Sequence, residues 1–227
     1  MDTLATCTLP ISTFRAALSA ASPHASTDAL QPHMHGVSLQ LTDGALTVCA
    51  TDGHRLFKFV SAPVSDLALV PVDADIPDAL VPLPQVAELI KALPRKPSVD
   101  ACSVGLARES GITSVRVSFA SACVKVVCPS EQFPAYKKII PPLATPTVPR
   151  FCAMNPDYLK EACEAVKMLE KLTSKETSGV CVCPGPDVLA PITILAPGVT
   201  GLTIVIMPMR TAAEVGAPYL RRSPGGM

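Results

Sequence analysis

Ala50-Thr51-Asp52-Gly53-His54-Arg55-Leu56 lies between two apolar runs, residues 46–49 before it and 56–60 after it. Both runs alternate at period two and read as strands. Asp52-Gly53 reads as the turn of a hairpin, because Gly accepts the positive φ that a tight turn demands. A bare turn needs neither a His nor an Arg directly after the Gly. Working outward, two later stretches stand out. They are Phe133-Pro134-Ala135-Tyr136-Lys137-Lys138-Ile139-Ile140-Pro141 and Val205-Ile206-Met207-Pro208-Met209-Arg210.

Around these stretches the chain repeats itself. Thr8-Leu9-Pro10 leads into an amphipathic helix at 11–22, with Phe14, Ala17, Leu18 and Ala21 on one face. Residues 23–34 read as a loop, and strands follow at 36–41, 45–50 and 56–60. A second cycle starts at Leu80-Val81, with a helix at 84–93 opened by Pro84 and strands at 99–107, 113–120 and 123–128. A third starts with a strand at 148–154. Asn155-Pro156-Asp157 then combines an N-cap, a first-turn proline and an acid at the positive end of the helix dipole. That helix runs to about Lys171 and buries Tyr158, Ala162, Val166 and Leu169. Strands at 179–183, 189–196 and 202–206 close the cycle. The fold class is therefore α+β, built of three consecutive strand-helix-three-strand units, and recurrence of this kind marks a repeat architecture.

Composition sets the bounds. The 227 residues are 48% hydrophobic, which places the chain among folded proteins. The formal net charge is zero, so no global field draws it to nucleic acid or membrane. The nine cysteines sit mostly in apolar runs, where a free thiol packs as a small hydrophobe. They show no metal spacing, and their odd number points to a reducing compartment. The N-terminus lacks a basic region ahead of an apolar core, so a cytoplasmic rather than a secreted protein is expected. Residues 188–209 carry no charge, but Pro191, Pro197, Gly198, Gly201 and Pro208 interrupt them, and the expectation is strands joined at Pro197-Gly198 rather than a membrane span.

Taken in order, Thr51-Asp52-Gly53-His54-Arg55-Leu56, Phe133-Pro134-Ala135-Tyr136-Lys137-Lys138 and Met207-Pro208-Met209-Arg210 resemble the bacterial DNA polymerase sliding clamp, the beta subunit of the replicative polymerase. The resemblance runs from about Cys7 to Arg210. It implies a DNA-clamp-like fold with helices on one face and antiparallel sheets on the other, no catalysis and no cofactor or metal. It also implies a groove that captures a short peptide from polymerases and other clamp users. Carried over by position, that groove uses Met34, Thr51, Gly53, His54, Arg55, Leu56, Pro134, Lys138, Ile139, Val205, Met207, Pro208, Met209 and Arg210. Methionines and prolines suit an adaptable apolar floor, and Arg55, Lys138 and Arg210 suit peptide carbonyls or acids. The surface expected to face double-stranded DNA, without sequence specificity, is Arg15, Lys91, Arg95, Lys96, Lys160, Lys167 and Lys171.

The chain departs from the family as well. The family has three domains of two units each, and two chains close a ring of twelve units. Here the first domain and the first half of the last are missing. The expected division is a full domain at 1–142, a half domain at 143–210 and a flexible tail at 211–227. An unpaired half domain exposes an apolar helix face, so self-association is expected, with third units pairing across a two-fold and four chains completing twelve units. Two other functions remain open. One is a non-encircling module that binds clamp-binding peptides as a decoy or regulator. The other is an enzyme built on Cys49, Asp52 and His54, for which no oxyanion motif, metal set or phosphate loop speaks.

Overall fold

The computed structural model describes residues 3–28, 30–42, 44–62, 78–95, 101–140, 152–173, 179–186 and 189–209. The first unit is β1 (Thr3–Pro10), α1 (Ile11–Ala21), β2 (Gly36–Thr42), β3 (Ala45–Thr51) and β4 (Arg55–Val60). The second is β5 (Ala79–Pro82), α2 (Leu83–Ala92), β6 (Ala101–Glu109), β7 (Ile112–Phe119) and β8 (Ala122–Val127). The third contributes α3 (Pro156–Thr173), β9 (Cys181–Cys183), β10 (Ile192–Leu195) and β11 (Leu202–Ile206). All strand pairs are antiparallel, in a four-stranded sheet β1-β6-β7-β8 and a seven-stranded sheet β5-β2-β3-β4-β11-β10-β9.

The first two units exchange their leading strands. β1 pairs with β6, and β5 pairs with β2, so neither unit completes a sheet alone. The third unit joins differently: its last strand, β11, pairs with β4, the last strand of the first unit, with Val205 opposite Leu56. Gly201 makes that junction close. It holds φ +83°, its carbonyl accepts the Val60 amide at 3.1 Å, and a Cβ there would lie 2.3 Å from the Val60 oxygen.

The helices cover one face of the seven-stranded sheet. Phe14, Ala17, Leu18 and Ala21 of α1 are fully buried, as the helical spacing anticipates. They share a core with Phe57 and Phe59 of β4, Ile204 and Ile206 of β11, and Ala162, Ala165, Val166 and Leu169 of α3. The α3 stripe thus packs against α1 within the chain. Its apolar face needs no second copy to cover it, and that ground for pairing third units falls away.

Other differences are local. The strand expected at 148–154 is absent from residues 152–154, while 148–151 lie outside the described residues. Ala153 nevertheless accepts a backbone hydrogen bond from Met209 at 2.8 Å. The strand expected at 189–196 shortens to Ile192–Leu195. Asn155 caps α3 as expected, its Oδ1 accepting the Asp157 amide at 2.9 Å. Among the described residues no helix is long and apolar enough to cross a membrane, and the uncharged run at 188–209 contains β10 and β11. No cysteine there is in a disulfide, and no group of three metal-ligating side chains occurs. The tail expected at 211–227 lies outside the described residues.

Candidate peptide groove and basic face

The turn after β3 is built by its own side chains. Thr51 Oγ1 accepts the Gly53 amide at 3.1 Å and donates to the Arg55 carbonyl at 2.7 Å. Asp52 Oδ1 accepts the amides of His54 and Arg55 at 2.9 and 3.0 Å. Gly53 takes φ +87°, as the turn chemistry anticipates. This hairpin tip meets the end of β11, where the Met207 amide donates to the His54 carbonyl at 2.9 Å. Met34 closes the other side, its Cε 3.9 Å from where a Gly53 Cβ would stand.

The third stretch arrives over the same place. Phe133 and Tyr136 pack with Cys49, Leu56, Leu80 and Val205 on the sheet face away from the helices, with Ile140 alongside. Tyr136 Oη donates to Gln40 Oε1 at 2.9 Å, which fixes the segment to β2. Turn, segment and last strand therefore converge. Around this packed cluster stand Ile139 (45% exposed), Met207 (40%) and Met209 (43%), with half-buried Met34, Pro134 and Pro208 and exposed Gly53, His54 and Lys138. Thr51, Leu56 and Val205 are buried, so they support the floor from below instead of lining it. Phe133 and Tyr136, absent from the expected site residues, are the side chains that seat the segment. Their aromatic spacing within the quoted stretch was the available signal. Arg210 lies outside the described residues.

Arg55 is the correction. Strand alternation turns it to the helix face, opposite Leu56. There its Nε donates to Asp52 Oδ2 at 3.0 Å, its two terminal nitrogens donate to Glu161 of α3 and to the Pro23 carbonyl, and the guanidinium lies 4.4 Å from the Tyr158 ring centre. With only 10% of its side chain exposed, Arg55 is a staple between the first and third units and faces away from the expected groove. Beside it His24 is buried, its Nδ1 set against the Ala20 carbonyl at 3.1 Å and its Nε2 without a hydrogen-bond partner among the described residues. Burial, then the nearby Arg55 charge, pushes its pKa down to about 4.

The expected DNA face divides the same way. Lys91 and Arg95, in and just after α2, and Lys160, Lys167 and Lys171 on α3 are exposed on the helix side, while Lys96 lies outside the described residues. Arg15 is spent elsewhere. Its Nη1 donates to the carbonyls of Ile90 and Leu93 at 2.7 and 2.6 Å, satisfying orphan acceptors at the C-terminal end of α2. Cys49 offers nothing nucleophilic. It is fully buried, burial pushes its thiol up to about 12, and the Asp52 carboxylate is taken by the turn and Arg55.

No protein-family model and no curated protein matches the chain. Solved structures do. A DNA polymerase sliding clamp from Pseudomonas aeruginosa superposes with a TM-score of 0.69 at 15% identity, over 91% of this chain and 67% of that one. A sliding clamp from Bartonella birtlesii bound to griselimycin gives 0.63 at 19% identity, over 91% and 66%. A DNA polymerase III beta subunit from Thermotoga maritima gives 0.58 at 17% identity, over 91% and 65%. The chain therefore has the sliding-clamp fold. It spans about two thirds of the length of these clamps, and the likeness lies in the fold.

Proposed function

We propose that the chain is a non-catalytic, sliding-clamp-like processivity factor of DNA replication, which tethers a polymerase to duplex DNA by holding a short peptide of its partner. The peptide lies along Met34, Gly53, His54, Pro134, Lys138, Ile139, Met207, Pro208 and Met209. The observation that carries this reading is the Met207–His54 backbone bond at 2.9 Å, with Phe133 and Tyr136 packed on Leu56 and Val205 at its side. Lys91, Arg95, Lys160, Lys167 and Lys171 supply a loose, sequence-blind attraction to phosphates. Such a factor works as a homo-oligomer in the cytoplasm.

A second reading is a clamp-like module that binds the same peptides without encircling DNA, as a decoy or regulator. It needs only the convergence of turn, segment and last strand, and no closed ring. One experiment separates them. The protein is mixed with a fluorescent peptide from the C-terminus of the host replicative polymerase, and separately loaded on nicked circular plasmid that is then linearised. Peptide binding with retention on circles alone supports the processivity factor. Peptide binding without such retention supports the module, and no peptide binding overturns both.

A further inference from the structure

The last strand delivers the chain to the rim of the candidate groove. Two backbone bonds fix it there: the Met207 amide donates to the His54 carbonyl at 2.9 Å, and the Met209 amide donates to the Ala153 carbonyl at 2.8 Å. Residues 210–227, outside the described residues, are thus joined to the chain beside Ile139, Met207 and Met209. Those three side chains are 45%, 40% and 43% exposed. Apolar side chains held in the open over a firm floor mark a surface that binds something.

We propose that the chain's own segment Thr211-Ala212-Ala213-Glu214-Val215-Gly216-Ala217-Pro218-Tyr219-Leu220 occupies this groove, so that a partner's peptide must displace it. The proposal rests on the peptide-groove reading above and adds its regulation. Tyr219-Leu220 is the one place after Met209 where two large apolar side chains adjoin. Tyrosine brings an apolar ring with a polar tip, which suits a rim of methionine and isoleucine beside polar groups. Gly216 and Pro218 lie just before the pair, and both residue types mark places where a chain reverses. From Met209 to Tyr219 the extended chain spans about 35 Å, ample to double back over a slot shaped for a short peptide.

Charge and tethering favour this occupant. Lys137 and Lys138 are exposed beside Ile139, and residues 211–220 carry one acid, Glu214, and no base. Arg221 and Arg222 begin only past the apolar pair, where they need not meet those lysines. A segment joined to the rim through residues 210–218 has an effective concentration on the order of 1 mM there. Contacts too weak to hold a free peptide therefore suffice to hold this one, and a partner must outbind them.

The chain has no tryptophan, so Tyr219→Trp in the full chain places a single fluorescent reporter in the segment. Its emission is expected to the blue of a solvent-exposed indole, at a position independent of protein concentration. Adding the polymerase peptide, or adding Met207→Ala or Ile139→Ala without peptide, should move it to the red. In the otherwise unmodified chain, Tyr219→Ser with Leu220→Ser should tighten capture of the polymerase peptide about fivefold in fluorescence anisotropy. Circular dichroism confirms that each variant is folded. Solvent-like emission overturns the proposal, as does blue emission that neither Met207→Ala nor Ile139→Ala moves. A blue shift that grows with protein concentration assigns the segment to the groove of a second copy and overturns the intramolecular contact. Equal peptide affinity with and without the two serines overturns the regulation and leaves the groove reading standing. Failure of both forms to bind the peptide overturns the two together.

Discussion

Arg55 and Leu56 are neighbours in sequence and sit on opposite faces of one junction. On the helix face, β4 and α3 are tied by charge, through Arg55 with Asp52, Glu161 and the Pro23 carbonyl. On the other face the same strand contributes Leu56 to a small apolar cluster with Val205, Phe133 and Tyr136, ringed by exposed Ile139, Met207 and Met209. A staple of directional bonds fixes how two units meet. An apolar rim over a firm floor can accept varied partners, because methionine side chains adapt their shape. On the proposed function, keeping the staple away from the rim lets the peptide-binding face vary without loosening the junction. If that division is right, changes on the helix face alter stability and leave peptide binding intact, while changes at the rim do the reverse.

The largest effect tests what both faces share. Gly201→Ala puts a Cβ where Val60 O stands 2.3 Å away, at a φ of +83° that side chains resist. Left-handed strain and the clash with a carbonyl together should cost about 3–5 kcal/mol, read as a fall in urea midpoint. Because Met207 directly follows β11, peptide binding should fail with it. Retained binding in that variant would show that the rim does not depend on the β4–β11 ladder.

Next in size is His24, packed 5.4 Å from the Phe57 ring on the helix face. Its pKa is lowered from 6.5 to about 4, first by burial and then by Arg55. The unfolded chain therefore binds the extra proton throughout that interval, and stability is lost as pH falls from about 6.5 towards 4. The loss from this one group approaches about 3 kcal/mol. His24→Gln keeps a donor for the Ala20 carbonyl and should flatten the dependence by most of that amount in urea melts at pH 7 and pH 4.5. Equal slopes would place the acid sensitivity elsewhere. Arg55→Met comes third, at about 2 kcal/mol. It strands Asp52 and Glu161, though Glu161 keeps 31% exposure and so part of its hydration. Pairing it with Glu161→Met should recover part of the loss.

Much of this division can be traced in the sequence, and its limits are physical. The period-two run from Arg55 to Val60 contains the alternation that sends Arg55, Phe57 and Phe59 to one face and Leu56 to the other. The grouping of His54 and Arg55 by motif overrode it. The helix stripes and the Asn155 cap were legible because they depend on neighbours within one or two turns. Arg15 was not, since its acceptors, Ile90 and Leu93, are brought to it only by packing of two helices from different units. The β1–β6 exchange and the β4–β11 register were hidden for the same reason: period two fixes which face a strand buries but not which strand lies beside it.

The smallest effect on stability carries the most about function. Met207→Ala and Ile139→Ala remove side chains that are already 40% and 45% exposed, so each should change stability by less than about 0.5 kcal/mol. Each should nevertheless weaken capture of the polymerase peptide about five- to tenfold in fluorescence anisotropy, since apolar contact is what the rim offers. Leu56→Ala is the contrasting change from beneath the same surface. Leu56 is 1% exposed, and its truncation leaves a cavity costing about 2–4 kcal/mol, with peptide affinity falling only as far as the floor collapses. The division of the two faces would be reversed by one pattern: Met207→Ala without effect on peptide affinity, and folded Arg55→Met unable to bind.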